Sequence, residues 1–311
     1  MASEKKSINF LALILGSVLA LYSIALLFLL AYGFLNSIKD VYAYNIDQAF
    51  LSKAVFEDLE LRKQLTGDSS LTWYNFENYV KAFFGINQPA TINGVKYKIY
   101  LPEMFANSVI YAGGCAFFAT LTPCLVAYLT TKYNFRFNGV IYTVVIFVMV
   151  TPIVGSLPSQ IRMSKLLGLF DSFAGLWFMS ATFLGTYYLV FHGIFKGLSW
   201  EYAEAAFIDG ASHFKVMTQV MFPLIKNTFF VVMLLNFISL WNDYQRPWIF
   251  LPNRPTAAVG VQFFSRASES ELKSTVYRLA GGYLMLTPIL IVFLIFRDKF
   301  VGNLTVGGIK G

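Results

Sequence analysis

Six stretches of the chain carry no charged side chain: Ser7 to Ile38, Met104 to Thr131, Phe137 to Ile161, Ser172 to Phe195, Asn227 to Asn242 and Leu279 to Phe296. A helix that crosses the hydrocarbon core of a bilayer needs about 20 mostly apolar residues, a length that four of these windows exceed and the last nearly reaches. The fifth is shorter, and the sequence predicts that it continues past Trp241-Asn242-Asp243 into Pro247-Trp248-Ile249-Phe250, with polar groups near one end of that span. Backbone amides in lipid must bond within their own segment, so windows of this kind predict helices. A β-barrel is excluded, because barrel strands alternate apolar and polar residues whereas Val144 to Val150 is unbroken apolar. The expected fold class is an all-α membrane protein with six transmembrane helices.

Composition agrees. A soluble domain carries roughly a quarter charged residues; this chain has 13% charged and 57% hydrophobic residues and a mean hydropathy of +0.59. The formal charge of +7 is spread in short clusters between apolar runs, which excludes a nucleic-acid stripe and fits anionic lipid headgroups or the acidic face of a partner. Lys5 and Lys6 precede an apolar run as in a signal peptide, but that run is far longer than a signal core of 7–15 residues, so it is read as a retained first span. Cys115 and Cys124 share one window, nine residues apart and hence on opposite helix faces; they are read as inert buried thiols.

Lys and Arg divide ten against fourteen between the proposed cytoplasmic side and the other, but seven of the fourteen lie in segment 36–103 with eight acidic residues. Charge in so long a loop has little influence on orientation. The pairs Lys5 and Lys6, Lys132 and Arg136, and Arg297 and Lys299 flank span ends and place both termini inside, while Arg162 and Lys165 dissent. The expected organisation is an N-terminal region and first helix over 1–35, an extracytoplasmic loop or small cap over 36–103, a transmembrane core over 104–300 with a cytoplasmic loop at 196–227, and a tail over 301–311. Trp73, Tyr74, Phe76, Tyr79, Phe83 and Phe84 give the insertion enough apolar surface to fold as a cap; a membrane-hugging tether is the other reading.

The loop between the fourth and fifth windows reads as helix, turn, helix. Ser199 suits a helix N-cap and Glu201 the first turn, where the helix dipole favours an acid; Gly210 suits a left-handed stop. Ala205 and Ala206 leave one face low enough for another protein to approach closely. By physics alone an ordinary interfacial helix is the favoured reading.

Glu204-Ala205-Ala206, three residues to Gly210, then nine to Val220-x-Phe222-Pro223, resembles the EAA loop of ABC importer permeases, with Val and Phe where Ile and Leu are usual. Further pieces follow in family order: Asn75-Phe76-Glu77-Asn78-Tyr79, Asn107-Ser108, Ala127-Tyr128, Thr151-Pro152, Gly168-Leu169, Trp241-Asn242-Asp243-Tyr244 with Pro247, and Leu304 to Gly311. Over nearly its whole length the chain resembles the maltose-type carbohydrate permeases, specifically the partner that ends in a glycine-containing tail. It departs in Ser199, where Pro is usual, and in a long segment 36–103.

The resemblance implies the type I ABC importer permease fold with an extracytoplasmic insertion between spans one and two, in a bacterial plasma (inner) membrane with both termini cytoplasmic. It implies a second homologous permease, two copies of a cytoplasmic ATPase that holds ATP and Mg, an extracytoplasmic solute-binding protein, and a carbohydrate substrate. The long insertion and aromatic content favour an oligosaccharide. Glu201, Glu204, Ala205, Ala206, Asp209, Gly210 and Pro223 would form the coupling element seated on the ATPase, and Gly307, Gly308, Lys310 and Gly311 a tail reaching the ATPase dimer interface. No G-x-x-x-x-G-K-[ST] occurs, so nucleotide phosphates have no cradle of that kind here, and the permease is expected to have no catalytic site, cofactor or metal of its own.

Trp241, Asn242, Asp243 and Tyr244 combine aromatic, amide and acid groups suited to a sugar, and an acid near a span end is a functional candidate; closing an extracytoplasmic gate is the competing role. His192 and His213 lack further ligands at metal spacing and are read as structural. An ion-gradient-driven secondary transporter would want acids near the bilayer midplane, and none of the six windows has one. A membrane hydrolase would want a nucleophile with its base.

Overall fold

The computed structural model describes residues 10–92, 94–151, 154–267 and 274–304. Among them, four helical segments are long and apolar enough to cross a membrane: Leu13–Ile38, Leu101–Lys132, His213–Trp241 and Thr275–Phe296. The chain divides into two compact units, one comprising residues 1–86 and 264–286, the other residues 87–263 and 287–311.

The first unit contains α1 (Phe10–Ile38), α2 (Val41–Ile46), α3 (Lys53–Thr66), α4 (Glu77–Gly85) and the beginning of α15 (Thr275–Leu304). α1 presents bare apolar side chains, with Leu21 at 74% and Leu27 at 65% exposure. Its last turn leaves carbonyls without helical partners, and α4 supplies them: buried Asn78 donates from Nδ2 to the carbonyls of Ser37 at 3.1 Å and Lys39 at 2.8 Å. The Asn75 amide donates to the Ile38 carbonyl and the Asp40 amide to that of Trp73. Lys39 is fully buried, its Nζ donating to the carbonyls of Asp47 at 2.7 Å and Phe50 at 2.9 Å. Burial pushes its pKa down, partly opposed by the Asp47 charge. These bonds tie the end of α1 to α2, α4 and the segment that follows α2.

The second unit opens with an antiparallel hairpin, β1 (Asn87–Ile92) and β2 (Val95–Tyr100), paired from Asn87 opposite Tyr100 to Ile92 opposite Val95, with Gly94 at φ +79° in its turn. Segment 36–103 is thus shared between the units. α5 (Leu101–Lys132) is the central helix, packed by α8 (Phe173–Ser180), α9 (Thr186–Gly197) and α12 (Phe222–Trp241). Between these in sequence come α6 (Asn138–Val150), α7 (Leu157–Leu166), α10 (Glu201–Ile208) and α11 (His213–Lys215); α13 (Gln245–Phe250) and α14 (Ala257–Ala267) follow α12. Tyr128, Val145, Tyr188, Phe191, Phe195, Met221 and Phe229 form the core. α8 lies close on α5 because Gly114 has no side chain: a Cβ there would sit 2.0 Å from Trp177 Nε1, and the indole donates to the Ile110 carbonyl at 3.1 Å.

Three windows behave differently from the sequence expectation. Phe137 to Ile161 breaks after Val150, and α7 begins at Leu157 with Pro158 in its first turn. Ser172 to Phe195 breaks between Ser180 and Thr186. The fifth does not continue past Asp243: α12 ends at Trp241 and α13 is a separate short helix. Its missing length lies on the other side, where π-helical residues Val216–Met221 join α11 to α12. Absence of charge marks apolar surroundings, and helices break there wherever packing satisfies the freed backbone groups.

Candidate functional site

The loop singled out by its motif folds as helix, turn, helix. Ser199 does not cap directly: Trp200 occupies the N-cap of α10, and Ser199 Oγ accepts from the Glu201 amide at 3.2 Å. Glu201 and Glu204 both lie in the first turn. At the other end Gly210 adopts φ +79°, its amide donates to the Phe207 carbonyl at 3.0 Å, and the Ala211 amide donates to the Ala206 carbonyl at 2.9 Å. These are the two bonds of a Schellman stop, with Asp209 as the last residue before the turn. Glu201, Glu204, Ala205 and Asp209 are exposed, Ala206 is half-buried, and Ala203 faces the core. Pro223 is exposed where the π-helical residues Val216–Met221 run into α12, and its missing N–H interrupts the helical bond ladder there.

Residues far apart in sequence hold this loop. Tyr133, just past α5, pairs its hydroxyl with His213 Nδ1 at 3.0 Å and sets its ring edge-on to Trp200, centroids 5.8 Å apart. Phe207 meets the His213 ring at 4.8 Å, and Lys132 Nζ donates to the Leu198 carbonyl at 2.6 Å. With its inner side clamped, α10 turns outward Tyr202 and Ile208, 54% and 85% exposed, among the three acids. α10 thus carries an apolar tip ringed by carboxylates. Tyr133, Trp200 and His213 carry no local signal, because their pairing spans 80 residues.

The Trp241 to Tyr244 turn is packed and bonded. Trp241 is buried between Phe105 and Phe237, with centroids 6.0 and 5.6 Å away. Asn242 is exposed and returns Nδ2 to the Ile238 carbonyl. Asp243 Oδ2 accepts from the Tyr111 hydroxyl at 3.1 Å, while Oδ1 accepts the amides of Gln245 at 2.9 Å and Arg246 at 3.3 Å, capping α13. Tyr244 meets Phe263 edge-on.

A cleft that sequence reasoning missed opens at the break between α8 and α9. It encloses about 470 Å³ and is lined by residues 182–188 with Ala119, Pro123 and Asn236. Asn236 Nδ2 donates to Thr120 Oγ1 at 3.0 Å, and Thr182 Oγ1 accepts the Leu184 amide at 3.2 Å. Phe183 and Tyr187 supply rings beside those polar groups. The sequence signal was the group Ser180, Thr182, Gly185 and Thr186 midway along a mostly apolar window. The tail residues Gly307, Gly308, Lys310 and Gly311, with Lys5, Lys6 and Pro152, lie outside the described residues.

The chain is 29% identical over 223 residues to the maltodextrin transport system permease protein MdxG of Bacillus subtilis, covering 68% of this chain and 77% of that one. It is 24% identical over 251 residues to the arabinooligosaccharides transport system permease protein AraQ of the same organism, covering 81% and 84%. In fold it is similar to a chain in the crystal structure of a bacterial ABC transporter involved in the import of the acidic polysaccharide alginate, with a TM-score of 0.70 at 18% identity over 96% of this chain and 100% of the other. The model of the family described as binding-protein-dependent transport system inner membrane component matches residues 119–305, a range that begins inside α5 and takes in the cleft, the clamped loop and the Asp243 turn. Several helices long and apolar enough to cross a membrane fit the membrane part of such a system, and the chain belongs to that family of inner-membrane permease components.

Proposed function

We propose that this permease imports a carbohydrate, most readily an oligosaccharide, pairing with a second permease and drawing on ATP and Mg held by two copies of a cytoplasmic ATPase. The observation that carries the substrate class is the cleft at the α8–α9 break. Irregular backbone at membrane depth is tolerated where it lines a cavity or is buried in protein, and about 470 Å³ lined by the rings of Phe183, Tyr187 and Tyr188, the hydroxyls of Thr182 and Thr186 and the Asn236 amide lies within the usual range of small-molecule sites, roughly 300–1,000 Å³. The substrates for which two relatives are named, maltodextrin and arabinooligosaccharides, point the same way. The Asp243 turn serves as the extracytoplasmic gate: both carboxylate oxygens are engaged within the protein, which leaves substrate contact to the cleft.

In this reading the chain crosses six times, the third crossing made by α6 and the fourth by α8 and α9 across their break. Both termini are cytoplasmic, and the 36–103 insertion faces the binding protein. α10 seats Glu201, Glu204, Ala205, Ala206 and Asp209 on the ATPase, Gly210 and Pro223 set its angle, and Gly307 to Gly311 reach the ATPase pair. The test is reconstitution with the neighbouring ATPase, second permease and binding protein in proteoliposomes, reading ATP hydrolysis and uptake of labelled sugars. Sugar-dependent stimulation with uptake supports the assignment; uptake driven by an ion gradient without ATP overturns it.

A further inference from the structure

Asn253 follows α13 and uses both ends of its side chain to join three segments far apart in sequence. Its Oδ1 accepts the backbone amide of Thr91 in β1 at 2.7 Å, and its Nδ2 donates to Asp171 Oδ2 at 2.9 Å. Its own amide donates to Asp171 Oδ1 at 3.2 Å. Asp171, between α7 and α8, has φ +57°, a left-handed conformation that only Asp, Asn and Gly adopt readily, and its amide donates to the Phe250 carbonyl at the end of α13. The Thr91 amide is free for this contact: opposite pairs in an antiparallel hairpin alternate between bonded and non-bonded, and the bond goes to Asn253.

α13 is thereby held at both ends. Asp243 caps its start and accepts from Tyr111 of α5, and the Asn253–Asp171 pair fixes its end to the hairpin. Farther along, Asn107 Nδ2 donates to the Pro255 carbonyl and Ser108 Oγ accepts the Ala257 amide, so the segment after α13 is pinned to α5. Three connections therefore meet at one half-buried amide.

We propose that Asn253 is a positioning residue that passes displacement of the β1–β2 hairpin to α13, so that a binding protein arriving at this face biases the gate. Val95 and Tyr97, about half exposed in β2, are the surface on which that displacement is applied. The inference rests on the importer reading and its orientation.

The experiment uses the full reconstituted complex and reads the ratio of binding-protein-stimulated to basal ATP hydrolysis. Asn253→Asp sets two carboxylates face to face and should lower the ratio about fivefold or more, the lower end of ordinary site–site coupling. Asp171→Asn combined with Asn253→Asp reverses the side-chain bond of the pair and leaves an amide oxygen at position 171 for the backbone amide of residue 253 to donate to; since Asn also suits left-handed backbone, this double variant should restore the ratio. Thr91→Pro removes the hairpin's donor and sets a ring carbon against Asn253 Oδ1, which breaks the link at an edge-strand position that tolerates proline, and should lower the ratio without changing basal hydrolysis. A wild-type ratio in Asn253→Asp and Thr91→Pro complexes that assemble normally overturns the relay. So does a double variant that assembles but stays unstimulated. A wild-type complex that the loaded binding protein fails to stimulate instead removes the importer reading beneath it.

Discussion

Asp243 at the end of α12 accepts a hydrogen bond from the hydroxyl of Tyr111, 132 residues earlier on α5, at 3.1 Å. The same carboxylate caps α13, so one side chain fixes the junction of three helices.

Tyr111→Phe removes the donor and leaves the caps. A hydrogen bond to a charged group is worth about 1.5–3 kcal/mol, so the complex should lose stability of that order in thermal unfolding, and Asp243→Asn alone should lose a similar amount. The double variant should lose less than the sum, because the two residues share the bond. Full additivity would mean the contact contributes nothing.

Gly210 holds the Schellman stop at φ +79°. A β-branched residue there is strained by about 1–3 kcal/mol, which redirects the chain after α10. Gly210→Val should therefore leave the complex assembled while uncoupling ATP hydrolysis from uptake, whereas full uptake in that variant would refute the coupling role.

Gly114 is in contact with the Trp177 indole. Gly114→Ala places a methyl 2.0 Å from Nε1, an overpacking that costs about 1–3 kcal/mol. Unfolding temperature should fall, and Trp177→Leu in the same chain should recover part of the loss by removing the obstructing ring.

Asn236 donates into the cleft wall. Asn236→Leu keeps approximate volume but deletes the amide, and uptake assays should show a raised KM for sugar with assembly and basal ATP hydrolysis unchanged. An unaltered KM would place the path elsewhere.

Asp47 accepts from Ser52 most strongly, then from the amides of Phe50 and Ala49, and these bonds hold its pKa below the ordinary 3.8. A depressed carboxylate contributes stability that is complete above its unfolded pKa and is lost as pH falls through the folded one. Hydrogen exchange across residues 47–52 should therefore stay protected at pH 4 and lose protection only below 3.8. In Asp47→Asn that pH dependence should vanish.

Membrane class and the motif-bearing loop were legible because each is written locally. A charge-free run is a property of consecutive residues, and Glu204-Ala205-Ala206 with Gly210 encodes a helix and its left-handed stop within one short stretch. Ser199 as direct cap was off by one position, a difference that depends on where Trp200 packs. The fifth window was extended the wrong way, because Lys226 ends the charge-free run and hides the continuation through Val216–Met221, although Val216, Met217, Val220 and Met221 keep a helical apolar spacing.

By itself, then, the sequence determined that this chain lives in a bilayer as helices, where its polar loop presents a capped helix, and to which family it is similar, since hydropathy, capping and turn formation act over a few residues. Only the tertiary structure decided that two apolar windows break, that the α8–α9 break opens a polar cleft, and that Tyr111–Asp243, Tyr133–His213 and Thr91–Asn253–Asp171 are joined. Those contacts link residues some 80 to 160 apart, and a hydrogen bond between distant segments depends on how the helices pack, which no local pattern of residues encodes.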